Sequence, residues 1–227
     1  MSLKSSLDTS SLKFSSKMSI LAGITYILIA FAYLLSGTPG TNNPDFWNYY
    51  LSNKNGRLFI QINWIGWIIS SFCGLALVIS FYDYLIEDNK AVGRYISSLG
   101  FIGFLTTLLS HLTALFISRQ MSSVYNSLDE SSQNLASAFG AYIIDGDAYT
   151  WFGFVGLWLF YFNLKLKDDE DITPMIRILG LISGIGYMLL IIGFLFNILL
   201  LVDLIAGLVG IIILPTYLIL LGLKLRS

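Results

Sequence analysis

The sequence predicts an all-α, polytopic membrane bundle of six transmembrane helices with both termini on the cytoplasmic side, and three observations predict it. Apolar residues make up 56% of the 227 residues and charged residues only 12%. Soluble domains carry about 25% charged residues, so this chain has too few ionic side chains to coat a water-facing surface of its size. Mean hydropathy is +0.73. The apolar residues also gather into continuous runs of the roughly 20 residues that a hydrocarbon core about 30 Å thick requires. They do not alternate over short segments as barrel strands do. Finally, the cations are unevenly divided between the two sets of loops that such runs create.

Residues 1–17 are rich in Ser and Lys and are expected to form a mobile cytoplasmic segment ahead of a single transmembrane domain, 18–227. The first span runs from about Met18 to Leu35. Its basic lead and apolar run resemble a signal peptide. The run is nonetheless as long as the other spans and no A-x-A site follows it, so it is read as an uncleaved helix. The second span covers about Leu58–Tyr82, the third Val92–Ile117, the fourth Ala148–Leu164 and the fifth Ile176–Leu199. After a short turn at Asp203 the sixth covers about Leu204–Leu223.

With the N-terminus inside, the inner segments hold ten cations: Lys4, Lys13, Lys17, Lys90, Arg94, Lys165, Lys167, Arg177, Lys224 and Arg226. The outer segments hold three, Lys54, Arg57 and Arg119. Positive charge collects on the cytoplasmic side of membrane proteins, so the asymmetry sets the orientation and requires an even number of crossings. The expected location is the bacterial plasma membrane, with the lipid bilayer as the first partner.

The loops differ in character. The first outer loop carries Trp47, Tyr49 and Tyr50, rings that suit the headgroup layer. The second contains LDESSQNLASAFGAYIID, a short interfacial helix beginning near Ser127 or Ser131. An inner loop holds four consecutive acids, Asp168 to Asp171, which read as a solvated turn between topology-setting lysines.

Composition excludes much chemistry. A net charge of -1 gives no basic field for nucleic acid. The single cysteine, Cys73, and single histidine, His111, cannot build a disulfide, a multi-ligand zinc site or a bis-histidine heme within one chain. Phosphate loops, H-E-x-x-H, C-x-x-C and G-x-S-x-G are absent. No catalytic residue, metal or cofactor is therefore assigned.

His111, in TTLLSHLTALF of the third span, is the residue of greatest interest, because an ionisable group at membrane depth faces the bundle interior or a cavity. It can bond a neighbouring helix, relay a proton or ligate a cofactor. Other polar residues fall in the same outer half. Gln61 and Asn63 lie in the second span and Ser110 in the third. Asp145, Asp147 and Thr150 come before or open the fourth, Asn197 closes the fifth and Asp203 precedes the sixth. The inner half shows no comparable set. His111, Asn63, Gln61, Asp147, Asp203 and Asn197 are thus candidates to line an outward-facing cup for a ligand or a proton. The alternative is that the acids are interface residues that cap helix starts.

Gly180 and Gly184 form a G-x-x-x-G, extended by Gly186 and Gly193, and Ala206 and Gly210 repeat the small-xxx-small spacing. Such faces let helix backbones approach closely. The short turn between spans five and six points to packing of those two against each other, and dimerisation is the alternative. Pro215 should kink the sixth helix. Trp64, Trp67, Trp151 and Trp158 read as belt and packing residues, and Cys73 as inert filler.

GITYILIA in the first span, Asn43–Pro44 beyond it, GLWLFYFNL closing the fourth, TPMIRILGLISGIGY leading the fifth and LPTYLILLGLKL near the C-terminus carry a resemblance. They resemble a bacterial and archaeal family of six-helix membrane proteins of similar length with no assigned function. The resemblance implies fold and topology and supplies no catalytic residue. The functional expectation is a non-enzymatic membrane protein that binds a small hydrophobic or amphiphilic molecule or assembles with a membrane partner, a homodimer among the options. One alternative is a small-molecule or proton-coupled transporter built around His111. The other is a membrane enzyme pairing His111 with Asp145 or Asp147.

Overall fold

Short polar side chains begin the helices. The Asp8 carboxylate accepts the Ser11 amide at 2.7 Å, and α1 (Thr9–Ser36) follows. Asn53 accepts from Gly56 at 2.9 Å and opens α3 (Lys54–Ser80), behind the small helix α2 (Phe46–Ser52). Beyond α4 (Tyr82–Ile86), Asn89 accepts from Val92 at 3.1 Å and starts α5 (Lys90–Val124). Asp129 accepts from Ser132 at 2.7 Å ahead of α6 (Glu130–Asp145). These side-chain acceptors satisfy amides that the first helical turn leaves without partners. Then come α7 (Ala148–Lys165), α8 (Pro174–Leu195, with proline in its first turn), α9 (Leu199–Ile205), a π-helical stretch (Ala206–Ile213) and α10 (Leu214–Arg226). The computed structural model describes residue 3 and residues 7–38, 45–145, 148–196 and 198–226, excepting the side chains of 139–145, 148–150, 168 and 199. Among the described residues there is no strand.

Among the described residues five helices are long and apolar enough to cross a membrane: α1, α3, α5, α8 and the last helix from Leu200 to Arg226. Their outward faces carry exposed Leu, Ile and Phe, such as Leu28, Phe31, Phe116, Ile182 and Leu208. A water-soluble monomer does not display apolar surface on this scale. The protein is an integral membrane protein.

The helices outrun the apolar segments that mark them. α1 starts at Thr9, well before Met18, and its 28 residues measure about 42 Å at 1.5 Å per residue. Apolar runs report where lipid is, whereas caps report where the helix ends.

Consecutive long helices lie side by side in the order α1, α3, α5, α7, α8, and the last helix packs on both α8 and α1. The ring is thereby closed. Several bonds gather chain segments at one end. Ser16 Oγ donates to the Gly222 carbonyl at 2.7 Å, and the Leu3 amide donates to Asp169 Oδ2 at 2.6 Å. Lys165 pairs with Asp88 at 3.1 Å, lies over the Tyr84 ring and donates to the Tyr84 carbonyl. Lys165 therefore sits beside the loop that leads to Lys90. The acidic run is not wholly solvated, because Asp169 is buried and also accepts the Asp171 amide.

The first outer loop departs from its expected role. Phe46, Trp47 and Tyr50 of α2 are buried with Trp64, Ala114 and Tyr125 in a second core. Trp151 and Trp158 are buried in the main core rather than facing headgroups. Position near the interface did not reveal that neighbouring elements cover these rings.

The capping acids give a first testable consequence. Bonds from Ser11 and Ser10 hold Asp8 below the usual carboxylate range, and bonds from Ser132 do the same to Asp129. A depressed folded-state pKa means the stabilisation is present above the unfolded value and is lost as pH falls through the folded one. Protection of the Ser11 and Ser132 amides, taken relative to their intrinsic exchange rates, should fall on acidification through that window. In Asp8→Asn, which keeps the acceptor without the charge, protection at Ser11 should lose this pH dependence.

Candidate functional site

The membrane-depth polar residues are built into the ring one by one. His111 is carried by α5 and is buried. Its Nδ1–H donates to the Thr107 carbonyl, one turn back, at 2.9 Å, because a carbonyl can only accept. Its ring stacks on Trp67 of α3 with centroids 5.5 Å apart and an interplanar angle of 28°. Trp67 meets Tyr26 of α1 edge-on at 5.7 Å and Trp151 of α7 edge-on at 4.8 Å. Trp151 in turn contacts Tyr187 of α8 at 4.9 Å. Edge-to-face and offset pairs at these separations add to the stability gained from burial alone. His111 is thus one end of an aromatic chain that ties five helices together.

The other outer candidates turn elsewhere. Gln61 Nε2 donates to the Tyr50 hydroxyl at 2.9 Å, joining α3 to α2. Asn63 Nδ2 donates to the Ile29 carbonyl at 3.0 Å, joining α3 to α1. Asp203 is exposed on α9. Asp147 and Asn197 lie outside the described residues, as do the side chains of Asp145 and Thr150. The structure therefore does not bring Gln61, Asn63 and His111 onto a shared partner. A cavity of about 20 Å³ lies among Tyr26, Ser70, Gly74, Phe104, Trp158 and Leu218, and His111 does not line it. That volume is of the order of a single water. Among the described residues no group of three or more His, Cys, Asp or Glu side chains could hold a metal ion.

The glycine faces divide. A Cβ on Gly184 would meet the Phe160 amide nitrogen at 2.6 Å, and one on Gly180 would meet Asn163 Oδ1 at 2.2 Å, so this face packs α8 on α7. Gly186 and Gly193 face Val209 and Val202 of the last helix. Of the four glycines expected to pack α8 on the last helix, Gly186 and Gly193 do so and Gly180 and Gly184 do not. Among the described residues nothing lies within 4 Å of a Cβ added at Gly207 or Gly210, and Ala206 is exposed.

No family model, curated protein or solved structure matches the chain.

Sequence reasoning missed the polar groups of the other half. Asn163 of α7 donates through Nδ2 to the Leu159 carbonyl at 2.9 Å and to the Tyr217 hydroxyl of α10 at 3.0 Å. Ser19 Oγ donates to the Leu218 carbonyl at 2.6 Å, beside the Ser16 bond. An Asn inside the apolar run FYFNLK was the available signal. Chemically, these side chains act as helix fasteners: each described amide, imidazole or hydroxyl named here makes at least one hydrogen bond, while Asn163 Oδ1 is buried without a partner among the described residues.

Proposed function

We propose that this chain is a non-enzymatic, six-span plasma-membrane protein, both termini inside, that assembles with a second membrane protein or a second copy through its last span. Support for six spans comes from α7, which has 18 residues, carries no charge before Lys165 and lies in the ring between α5 and α8. Support for the orientation comes from the excess of cations at the end that gathers Lys17, Lys165 and Arg226. The observation that carries the assembly reading is the open surface at Gly207 and Gly210, beside exposed Ala206, Leu208 and Ile211. The bundle's other small-residue face is filled by neighbours, whereas this one has its backbone accessible over a π-helical stretch. Small residues let a second helix approach closely, and π-helical turns are frequent where helices do something other than span.

The test is cross-linking in native membranes. Gly210→Cys is expected to form a disulfide-linked dimer, or a cross-link to a partner, under mild oxidation. Ile24→Cys, exposed on the far side of α1, is not. Cys73 is buried and contributes no background. Monomeric mass in native membranes, unchanged in Gly210→Leu, would defeat the reading. A small amphiphile that co-purifies and is lost in Gly210→Leu would replace assembly by ligand binding. Proton-coupled flux abolished in His111→Ala would establish the carrier instead.

A further inference from the structure

Charge is segregated at the end of the bundle that holds the C-terminal turn of α10. Among the described side chains, the acids of this end other than Asp8 lie in two places, with Asp83, Glu87 and Asp88 around α4 and Asp169, Glu170 and Asp171 between α7 and α8. There they stand among cations, of which Lys165 is paired with Asp88 at 3.1 Å. The corner between α1 and α10 differs. It presents Lys13, Lys17 and Arg226, all exposed, with Lys224 nearby. Its one acid, Asp8, already accepts from Ser10 Oγ at 2.8 Å and the Ser11 amide at 2.7 Å. Among the described residues, Lys13, Lys17 and Arg226 make no ion pair.

The corner is rigid. The Ser16–Gly222 and Ser19–Leu218 bonds, at 2.7 and 2.6 Å, fix the register of the two antiparallel helices. A Cβ on Gly222 would meet the Ser16 carbonyl oxygen at 2.7 Å, and one on Gly23 the Pro215 carbonyl oxygen at 2.8 Å, so the backbones are in near contact. Arg226 lies one turn beyond Gly222 on the same face, and Lys13 nearly one turn before Ser16. Lys13 and Arg226 consequently lie at nearly one depth, with Lys17 one turn, about 6 Å, further along α1. From Lys17 the outward face of α1 continues as Leu21, Ile24 and Leu28, at 42%, 54% and 45% exposure. Lys17 to Leu28 spans about 16 Å at 1.5 Å per residue, close to half of a hydrocarbon core about 30 Å thick.

We infer that this corner binds an anionic phospholipid. Its phosphate is bridged by Lys13, Lys17 and the Arg226 fork, and one acyl chain lies along Leu21, Ile24 and Leu28. Guanidinium and ammonium groups hold a phosphodiester by charge-assisted bonds, and the aliphatic rail has the length of one leaflet. The site lies at the opposite end of the last span from the open glycines and stands independently of the assembly proposed for them.

Full-length protein in detergent, stripped of lipid, is titrated with phosphatidylglycerol and bound lipid is counted by native mass spectrometry. Lys13→Gln/Lys17→Gln/Arg226→Gln is expected to bind about a hundredfold more weakly, from roughly fivefold per cation. Lys90→Gln/Arg94→Gln/Lys167→Gln removes equal charge from the acid-bearing side and should lose less than about fivefold. Phosphatidylcholine should not compete. Should the triple variant fail to fold, Lys13→Gln and Arg226→Gln, both at exposed positions, each read the roughly fivefold step. Equal losses in the two triple variants would reduce the effect to general surface potential and overturn the site. Inorganic phosphate displacing the lipid at equal concentration would overturn the lipid as its ligand.

Discussion

Gly184→Ala is expected to destabilise the bundle by about 2 kcal/mol, the range of overpacked cores, while Gly210→Ala leaves the monomer as stable or slightly more so. The two changes add the same methyl group to the same kind of spacing. At Gly184 the new Cβ meets the amide nitrogen and Cα of Phe160 at 2.6 and 2.8 Å and the Gly156 carbonyl oxygen at 2.9 Å. These are backbone atoms and no rotamer relieves the collision, so α7 and α8 must separate. Separation by even a fraction of an ångström forfeits dispersion along the whole face, including Gly156, whose own Cβ would meet the Gly184 carbonyl oxygen at 3.0 Å. At Gly210 nothing among the described residues lies within 4 Å of the new Cβ, and alanine's better helix propensity contributes up to about 1 kcal/mol. Reversible unfolding of detergent-solubilised monomer measures both. Equal costs at the two positions would mean the α7–α8 contact is looser than described.

The sequence announces helices and close-packing faces well and partners poorly. Continuous apolar runs marked where the long helices cross, and the glycines of the fifth span marked a close-packing face. But α8 has neighbours on two sides. Gly180 and Gly184 meet α7, while Gly186 and Gly193 meet the last helix. Periodicity alone does not say which neighbour takes which face, and the short turn after α8 pointed to the wrong one for the G-x-x-x-G. The same limit explains the polar candidates. Gln61, Asn63 and His111 were correctly expected in helices and share a region of the chain's depth. Their partners differ: a tyrosine of α2, a carbonyl of α1 and a carbonyl of α5. Trp47 and Tyr50 looked like headgroup residues because aromatic rings near a polar loop have two outcomes. Burial was decided by Trp64 and Tyr125, far away in sequence. Ser16 read as part of a mobile leader and Ser19 as one more residue of the first span, yet each closes a bond onto α10 some 200 residues later.

Asn163 is where that blindness had the largest energetic consequence, and Asn163→Ala is expected to destabilise by about 3 kcal/mol. Two terms add. Truncating a fully buried side chain leaves a cavity beside Gly180. It also removes the donor to the Tyr217 hydroxyl, which is buried on α10, and a stranded polar group costs about 1–3 kcal/mol. The bond itself accounts for a smaller share. Interhelical hydrogen bonds within membranes average about 0.6 and reach about 1.7 kcal/mol. A double-mutant cycle separates these terms. Tyr217→Phe alone should cost about 1 kcal/mol. In the Asn163→Ala background it should cost less, because the hydroxyl it removes no longer has its donor. A coupling near zero would show that Asn163 acts only as filler against Gly180. A coupling in the expected range makes the bond a working strut, one that reaches across the ring from α7 to α10 rather than between sequence neighbours. Such a strut resists the opening that a passage through this half of the bundle would need.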